Sequence, residues 1–136
     1  MSSNKKKILI IDDEKMNIMA LAFFLKHKYE ILVATDGQAG FESAEKHMPD
    51  IILLDVIMPG LSGFDVISKL KESEKTKDIP VIFISGMGEE GDDEKGLSFG
   101  AVDFITKPFT KCMVQIRIDT QLKLVEYERT IESLKR

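Results

Sequence analysis

Four short apolar runs recur along the chain: ILII at Ile8 to Ile11, ILVA at Ile31 to Ala34, IILL at Ile51 to Leu54 and VIFI at Val81 to Ile84. A fifth, weaker run, DFIT, lies at Asp103 to Thr106. Each has the length of a strand, and the segments between them carry apolar residues at helical spacing. The first such segment holds Met16, Ala20, Phe23, Phe24 and Leu25, and the third holds Phe64, Ile67 and Leu70. Strand and helix therefore alternate five times. That alternation calls for parallel strands joined by right-handed crossovers, with helices on both faces of the sheet. The predicted fold is a doubly wound α/β sandwich on a five-stranded parallel sheet. Pro49 and Pro80 each stand just ahead of a strand, where a proline ends the preceding helix without removing a ladder bond. A chain of 136 residues, 43% hydrophobic, has material for one such domain and not for two.

A strand covered on both faces should be apolar throughout, so a carboxylate at its end needs a reason. Asp55 closes the third run, just before the turn forced by Pro59-Gly60. Asp12 and Asp13 close the first run, Ser85 the fourth, and Lys107, followed by Pro108, the fifth. Taken singly, each has an ordinary reading: Asp12 as a helix cap, Ser85 as a turn residue, Lys107 as a surface lysine. Ligands of doubly wound sheets bind beyond the carboxyl ends of the strands, and all five residues should converge there. Three carboxylates brought together repel one another unless positive charge is supplied. A hard divalent cation with oxygen ligands and retained waters, Mg²⁺ rather than Ca²⁺, supplies it, and the Lys107 ammonium nearly completes the balance. Beside such a cation the Asp55 carboxylate could attack a phosphoryl group in line and form an aspartyl phosphate.

Composition removes other classes. The net charge of −4 opposes direct binding to nucleic acid or anionic lipid, and Lys5, Lys6 and Lys7 read as a solvated lead-in to the first strand. The single cysteine, Cys112, permits no internal disulfide and reads as a small, partly buried hydrophobe. His27 and His47 lie in unrelated polar contexts near helix ends, a poor basis for a transition-metal site. No apolar run approaches the roughly 20 residues that cross a membrane, and the first seven residues lack the apolar core of a signal peptide. The expected location is cytoplasmic.

The segments ILIIDDE, IILLDVIMPGLSGFDVISKLK, PVIFISG and GAVDFITKPF, in this order, resemble the receiver domain of two-component response regulators, over about Lys5 to Lys123. The resemblance implies the strand order 2-1-3-4-5. It implies that Asp55 is the phosphoacceptor, that Asp13, Asp55 and the backbone carbonyl of Ile57 hold Mg²⁺, and that Asp12 acts through a coordinated water. Ser85 matches the hydroxyl position that bonds the phosphoryl oxygen, and Lys107 the lysine that pairs with it. Lys107-Pro108 is expected to be cis. Phe104 matches an aromatic whose rotamer turns from outward to inward on phosphorylation, altering the face made by the fourth helix, fifth strand and fifth helix. The implied donor is a sensor histidine kinase or a phosphotransfer protein.

Two features depart from the usual pattern. Gly86, Gly88, Gly91, Gly96 and Gly100 crowd the fourth helix, which also carries Glu89, Glu90, Asp92, Asp93 and Glu94. Glycine and excess negative charge should leave that helix marginal. The closing helix, from about Thr110, would run about 26 residues, roughly 39 Å. Residues 1–123 therefore read as the receiver and 124–136 as an extension, in which Leu124, Tyr127, Ile131 and Leu134 form a short heptad seam. The extension is expected to pair in a homodimer and to lead into an output domain. Finally, Ile57 and Met87, two residues beyond Asp55 and Ser85, are apolar and should shield an acyl phosphate from water. Two other functions compete. A phosphatase of the haloacid dehalogenase type would place a general acid where Ile57 stands, and a receiver-like interaction module would not need the intact acidic set.

Overall fold

A computed structural model describes residues 5–86 and 92–135, with no side-chain description for Asp92 and Asp93. Five strands, β1 (Lys7–Ile11), β2 (Glu30–Ala34), β3 (Ile51–Asp55), β4 (Val81–Ser85) and β5 (Asp103–Thr106), alternate with five helices. These are α1 (Lys15–Leu25), α2 (Gly37–His47), α3 (Gly63–Glu72), α4 (Asp92–Ser98) and α5 (Lys111–Leu134). All strand pairs are parallel, in the order β2-β1-β3-β4-β5. The fold is the doubly wound sandwich expected from the alternation of apolar runs.

Because successive strand residues point to opposite faces, each apolar run feeds two cores at once. Leu9, Ile11, Ile52, Leu54, Val81 and Phe83 pack with Ala44 of α2 and Val66, Ile67 and Leu70 of α3. Ile8, Ile10, Ile51, Leu53, Ile82 and Ile84 pack with Leu21 and Leu25 of α1 and Val114 and Ile118 of α5. Every residue of β3 and β4 is buried, which explains why their sequences show no polar alternation. Each such Leu or Ile contributes on the order of 1.5–3 kcal/mol.

Local signals set the helix starts. The Asp36 carboxylate accepts from Ala39 N–H at the head of α2, Ser62 and Asp65 form a reciprocal capping box on α3, and Thr110 caps α5. Gly63, the first residue of α3, has no room for a side chain: a Cβ there would lie 2.4 Å from the Asp55 carbonyl oxygen.

Two expectations are corrected. The apolar residues of α1 do not form one buried stripe, since Met16 and Phe23 are 76% and 63% exposed while Leu21 and Leu25 are buried. The helix is apolar on nearly every side, so periodicity alone could not select the face that meets the sheet. Cys112 is exposed, because it lies on the outer side of the first turn of α5, away from Val114 and Ile118. The fourth helix is described over seven residues, Asp92–Ser98, and Gly96 lets it sit close to the sheet: a Cβ there would meet Phe83 at 2.7 Å. Met87, Gly88, Glu89, Glu90 and Gly91 lie outside the described residues, as do the side chains of Asp92 and Asp93.

The final helix has 24 residues, roughly 36 Å of length. Its first half is docked: Gln115 Nε2 donates to the Phe24 carbonyl at 3.1 Å, and Asp119 receives both the Tyr29 hydroxyl and the Lys28 ammonium. Burial and the Asp119 carboxylate push the Tyr29 hydroxyl well above its ordinary pKa, so it stays a donor. Further along, Leu124, Tyr127, Ile131 and Leu134 are 45–79% exposed.

Candidate functional site

The parallel registers bring the carboxyl ends of β1, β3, β4 and β5 to one edge. Asp12 follows β1 directly, held by its N–H donating to the Ala34 carbonyl at 3.1 Å, and its side chain is 1% exposed. Asp55 is the last residue of β3 and is 4% exposed. Ser85 ends β4 and is buried. Its carbonyl accepts the Lys107 N–H at 2.7 Å, which carries Lys107 to the same edge, and the Lys107-Pro108 peptide is cis as expected. Asp13 lies exposed at the rim.

One oxygen from each of Asp12, Asp13 and Asp55 lies within 4.8 Å of the others. The Lys107 ammonium stands 3.4 Å from Asp55 Oδ1 and 3.7 Å from Glu14 Oε1. The remaining site residues are less engaged. The Ser85 hydroxyl donates to the Gly86 carbonyl at 3.3 Å, and Ile57 stands in the loop after β3 with its side chain 61% exposed. Phe104 is half-buried, its ring 6.2 Å from that of Phe83 at 54°.

The electrostatics follow from the geometry. Burial, then the Asp12 carboxylate, pushes the Asp55 carboxyl up to about 7, against the opposing pull of Lys107. Burial also raises Asp12, offset in part by the Glu14 N–H, which donates to Asp12 Oδ1 at 2.9 Å, and by Lys107. Asp12 Oδ2 is buried and has no hydrogen-bond partner. A buried carboxylate oxygen left unpaired is costly. One lysine against three carboxylates leaves a deficit of positive charge, and the all-oxygen donor set suits a hard divalent cation.

Two contributors escaped the sequence reading. Glu14 belongs to the Lys107 ion pairs and presents its N–H to Asp12; its place in the DDE triplet was the available signal. Asn17 lies in the first turn of α1, with Nδ2 buried beside Asp12. After Lys15 it is the one polar side chain in an otherwise apolar helix, which could have marked it.

The response regulator receiver domain family matches residues 8–119, and the match spans every site residue named above. The chain belongs to the response regulator receiver family. This receiver is 43% identical over 122 residues to the response regulator PleD of Caulobacter vibrioides, covering 88% of this chain and 27% of that protein. It is 35% identical over 122 residues to the alkaline phosphatase synthesis transcriptional regulatory protein PhoP of Bacillus subtilis, covering 89% of this chain and 50% of that one. The receiver thus spans a quarter to a half of the length of these curated relatives. Its backbone also matches the crystal structure of the receiver domain of sensor histidine kinase PA1611 from Pseudomonas aeruginosa PAO1, which holds a magnesium ion in its active-site cleft. The TM-score is 0.81 at 26% identity, covering 88% of this chain and 98% of the other. Receivers of this family are phosphoryl-accepting switches of two-component signalling. No helix among the described residues is long and apolar enough to cross a membrane.

Proposed function

We propose that Asp55 accepts a phosphoryl group from the phosphohistidine of a sensor kinase or phosphotransfer protein, and that Ser85, Lys107 and Phe104 convert the new charge into a changed surface. The observation that carries this reading is the placement of a buried Asp55 with one Lys107 nitrogen at 3.4 Å and two further carboxylates within 4.8 Å. Asp13, Asp55 and the backbone carbonyl of Ile57 would hold Mg²⁺, with Asp12 acting through a coordinated water. When bound, the ion supplies positive charge to the phosphoryl oxygens and keeps Asp55 ionised.

An Asp55 carboxylate oxygen attacks phosphorus in line, the phosphorus–nitrogen bond to the donor imidazole breaks, and its electron pair stays on that nitrogen. Lys107, already beside Asp55, pairs with a phosphoryl oxygen. The Ser85 hydroxyl, which now donates only to the neighbouring Gly86 carbonyl, rotates to donate to another. That rotation clears the space toward which Phe104 turns, and the face of α4, β5 and α5 changes with it. The switch is a two-state equilibrium biased by a local charge. The exposed seam from Leu124 to Leu134 then pairs between two copies, residues 124–136 serving as a helical link from the receiver, 1–123, to an output domain. The setting is the cytoplasm. The exposed, apolar Ile57 stands where a dehalogenase-type phosphatase would carry its general acid, which favours a switch over turnover.

Acetyl phosphate with Mg²⁺ should add one phosphoryl group to the parent and none to Asp55→Asn. Beryllofluoride with Mg²⁺ should shift amides around Phe104 and α4. Equal labelling of the variant by intact mass would reject Asp55 as acceptor.

A further inference from the structure

Two buried polar atoms among the described residues lack a hydrogen-bond partner, Asp12 Oδ2 and Asn17 Nδ2. One is an acceptor and the other a donor, and both stand at the head of α1. Asn17 is the third residue of that helix, and Asp12 is tied to the helix start by the Glu14 N–H. The two orphans are therefore complementary, one able to satisfy the other.

The other oxygen of Asp12 is already fixed. Oδ1 accepts the Glu14 N–H at 2.9 Å, just ahead of the first turn of α1. A carboxylate held at one oxygen can still swing the other. Were Oδ2 anchored as well, the plane of the group would be set and its remaining lone pairs aimed at the space between Asp13 and Asp55. The chemistry of the anchor matters. A lysine at position 17 would neutralise charge that a cation needs, and an aliphatic residue would leave Oδ2 unpaired. An amide donates two hydrogens and adds no charge.

We propose that Asn17 is a positioning residue of the acidic pocket, donating from Nδ2 to Asp12 Oδ2 so that Asp12 is presented to the water shell of the divalent cation. This inference rests on the reading of Asp12, Asp13 and Asp55 as a Mg²⁺ site. Partners that orient a direct ligand typically change metal affinity by 10- to 100-fold when lost, and Asn17, acting through Asp12 and its water, should fall at the lower end of that range. Asn17 touches neither the phosphoryl group nor the ion in this assignment.

The test is a Mg²⁺ titration of the unphosphorylated full chain, followed by amide chemical shifts at fixed ionic strength and well below the melting temperature. The parent and Asn17→Ala, Asn17→Ser and Asn17→Asp are compared. The expected result is saturable binding by the parent and affinity about tenfold lower or worse in Asn17→Ala. Asn17→Ser, which keeps a shorter donor, should fall between them and serves as the probe if the alanine variant does not fold. Asn17→Asp should bind no more tightly than Asn17→Ala, because it replaces the donor with an acceptor. A merely structural role would lower the melting temperature and leave the affinity of the folded protein unchanged. A loss of less than threefold in Asn17→Ala and Asn17→Ser overturns the proposal. Tighter binding by Asn17→Asp also overturns it, since that result would make position 17 a direct ligand. Absence of binding by the parent would instead reject the underlying cation site.

Discussion

Replacing Asp55 with asparagine should stabilise the metal-free protein at neutral pH, although it removes the group on which function is proposed to depend. In the fold, Asp55 is 4% exposed and its carboxyl is pushed from an ordinary 3.8 up to about 7, by burial first and by Asp12 second. The folded state thus holds this proton more tightly than the unfolded chain does. Its contribution is full below about pH 4 and is lost as the pH rises through about 7. A displacement of about three pH units corresponds to on the order of 4 kcal/mol, a large share of a typical domain stability. Asp55→Asn keeps an oxygen for Lys107, removes the charge, and relieves Asp12 as well. Urea unfolding in EDTA at a series of pH values measures the difference between variant and parent. That difference should grow by about 1.4 kcal/mol per pH unit between about pH 5 and 7 and then level off. Added Mg²⁺ should recover stability in the parent more than in the variant, because the cation binds the ionised carboxylate. A difference that stays flat across this range would refute the reasoning, since Asp55 would then titrate alike in both states.

Gly63→Ala should cost about 3 kcal/mol and lower the melting temperature by about 10 °C, because the new Cβ would lie 2.4 Å from the Asp55 carbonyl and 2.9 Å from Val56 Cα. These are backbone atoms at the end of β3 and just beyond it, and a thermal melt within about 2 °C of the parent would show that α3 shifts freely. Ile57→Asn should shorten the acyl phosphate lifetime by about three- to tenfold, equivalent to roughly 0.7–1.4 kcal/mol of barrier, by letting a polar side chain orient water. Loss of label after donor removal measures it, and an unchanged rate would show that this side chain does not shield the bond. Ending the chain after Lys123 should weaken self-association, and sedimentation of the full chain as a monomer with and without beryllofluoride would reduce the seam to a tail.

What could be read from the residues depended on whether a pattern had one physical solution. The β3 run from Ile51 to Leu54 has one, because four aliphatic residues in succession suit a strand covered on both faces, and Asp55 at its end then had to face the edge of the sheet. Asp12, Ser85 and Lys107 followed by the same logic. The first helix had several solutions: with Met16, Ile18, Met19, Leu21, Phe23, Phe24 and Leu25 spread around it, any face could have met the sheet. Asn17 was missed for a related reason. A single amide in an apolar helix has no period, and its value shows only once β1 places Asp12 beside it. The glycine excess around α4 drew attention to that segment, but the use of Gly96 to admit Phe83 required the tertiary packing.

The Asp119 latch gives the last helix a fulcrum. Tyr29 and Lys28 grip it eight residues from Lys111 and fifteen from Leu134, arms of roughly 12 and 23 Å at 1.5 Å per residue. Were the docked half to rock about that point as a rigid rod, it would be a lever with a mechanical advantage of about two. A sideways movement of about 1 Å at the end near the acidic edge would swing the free end by about 2 Å, in the opposite direction. Two such rods joined along their apolar seams would scissor, so a whole domain attached beyond Leu134 could be repositioned without any rearrangement of the sheet itself.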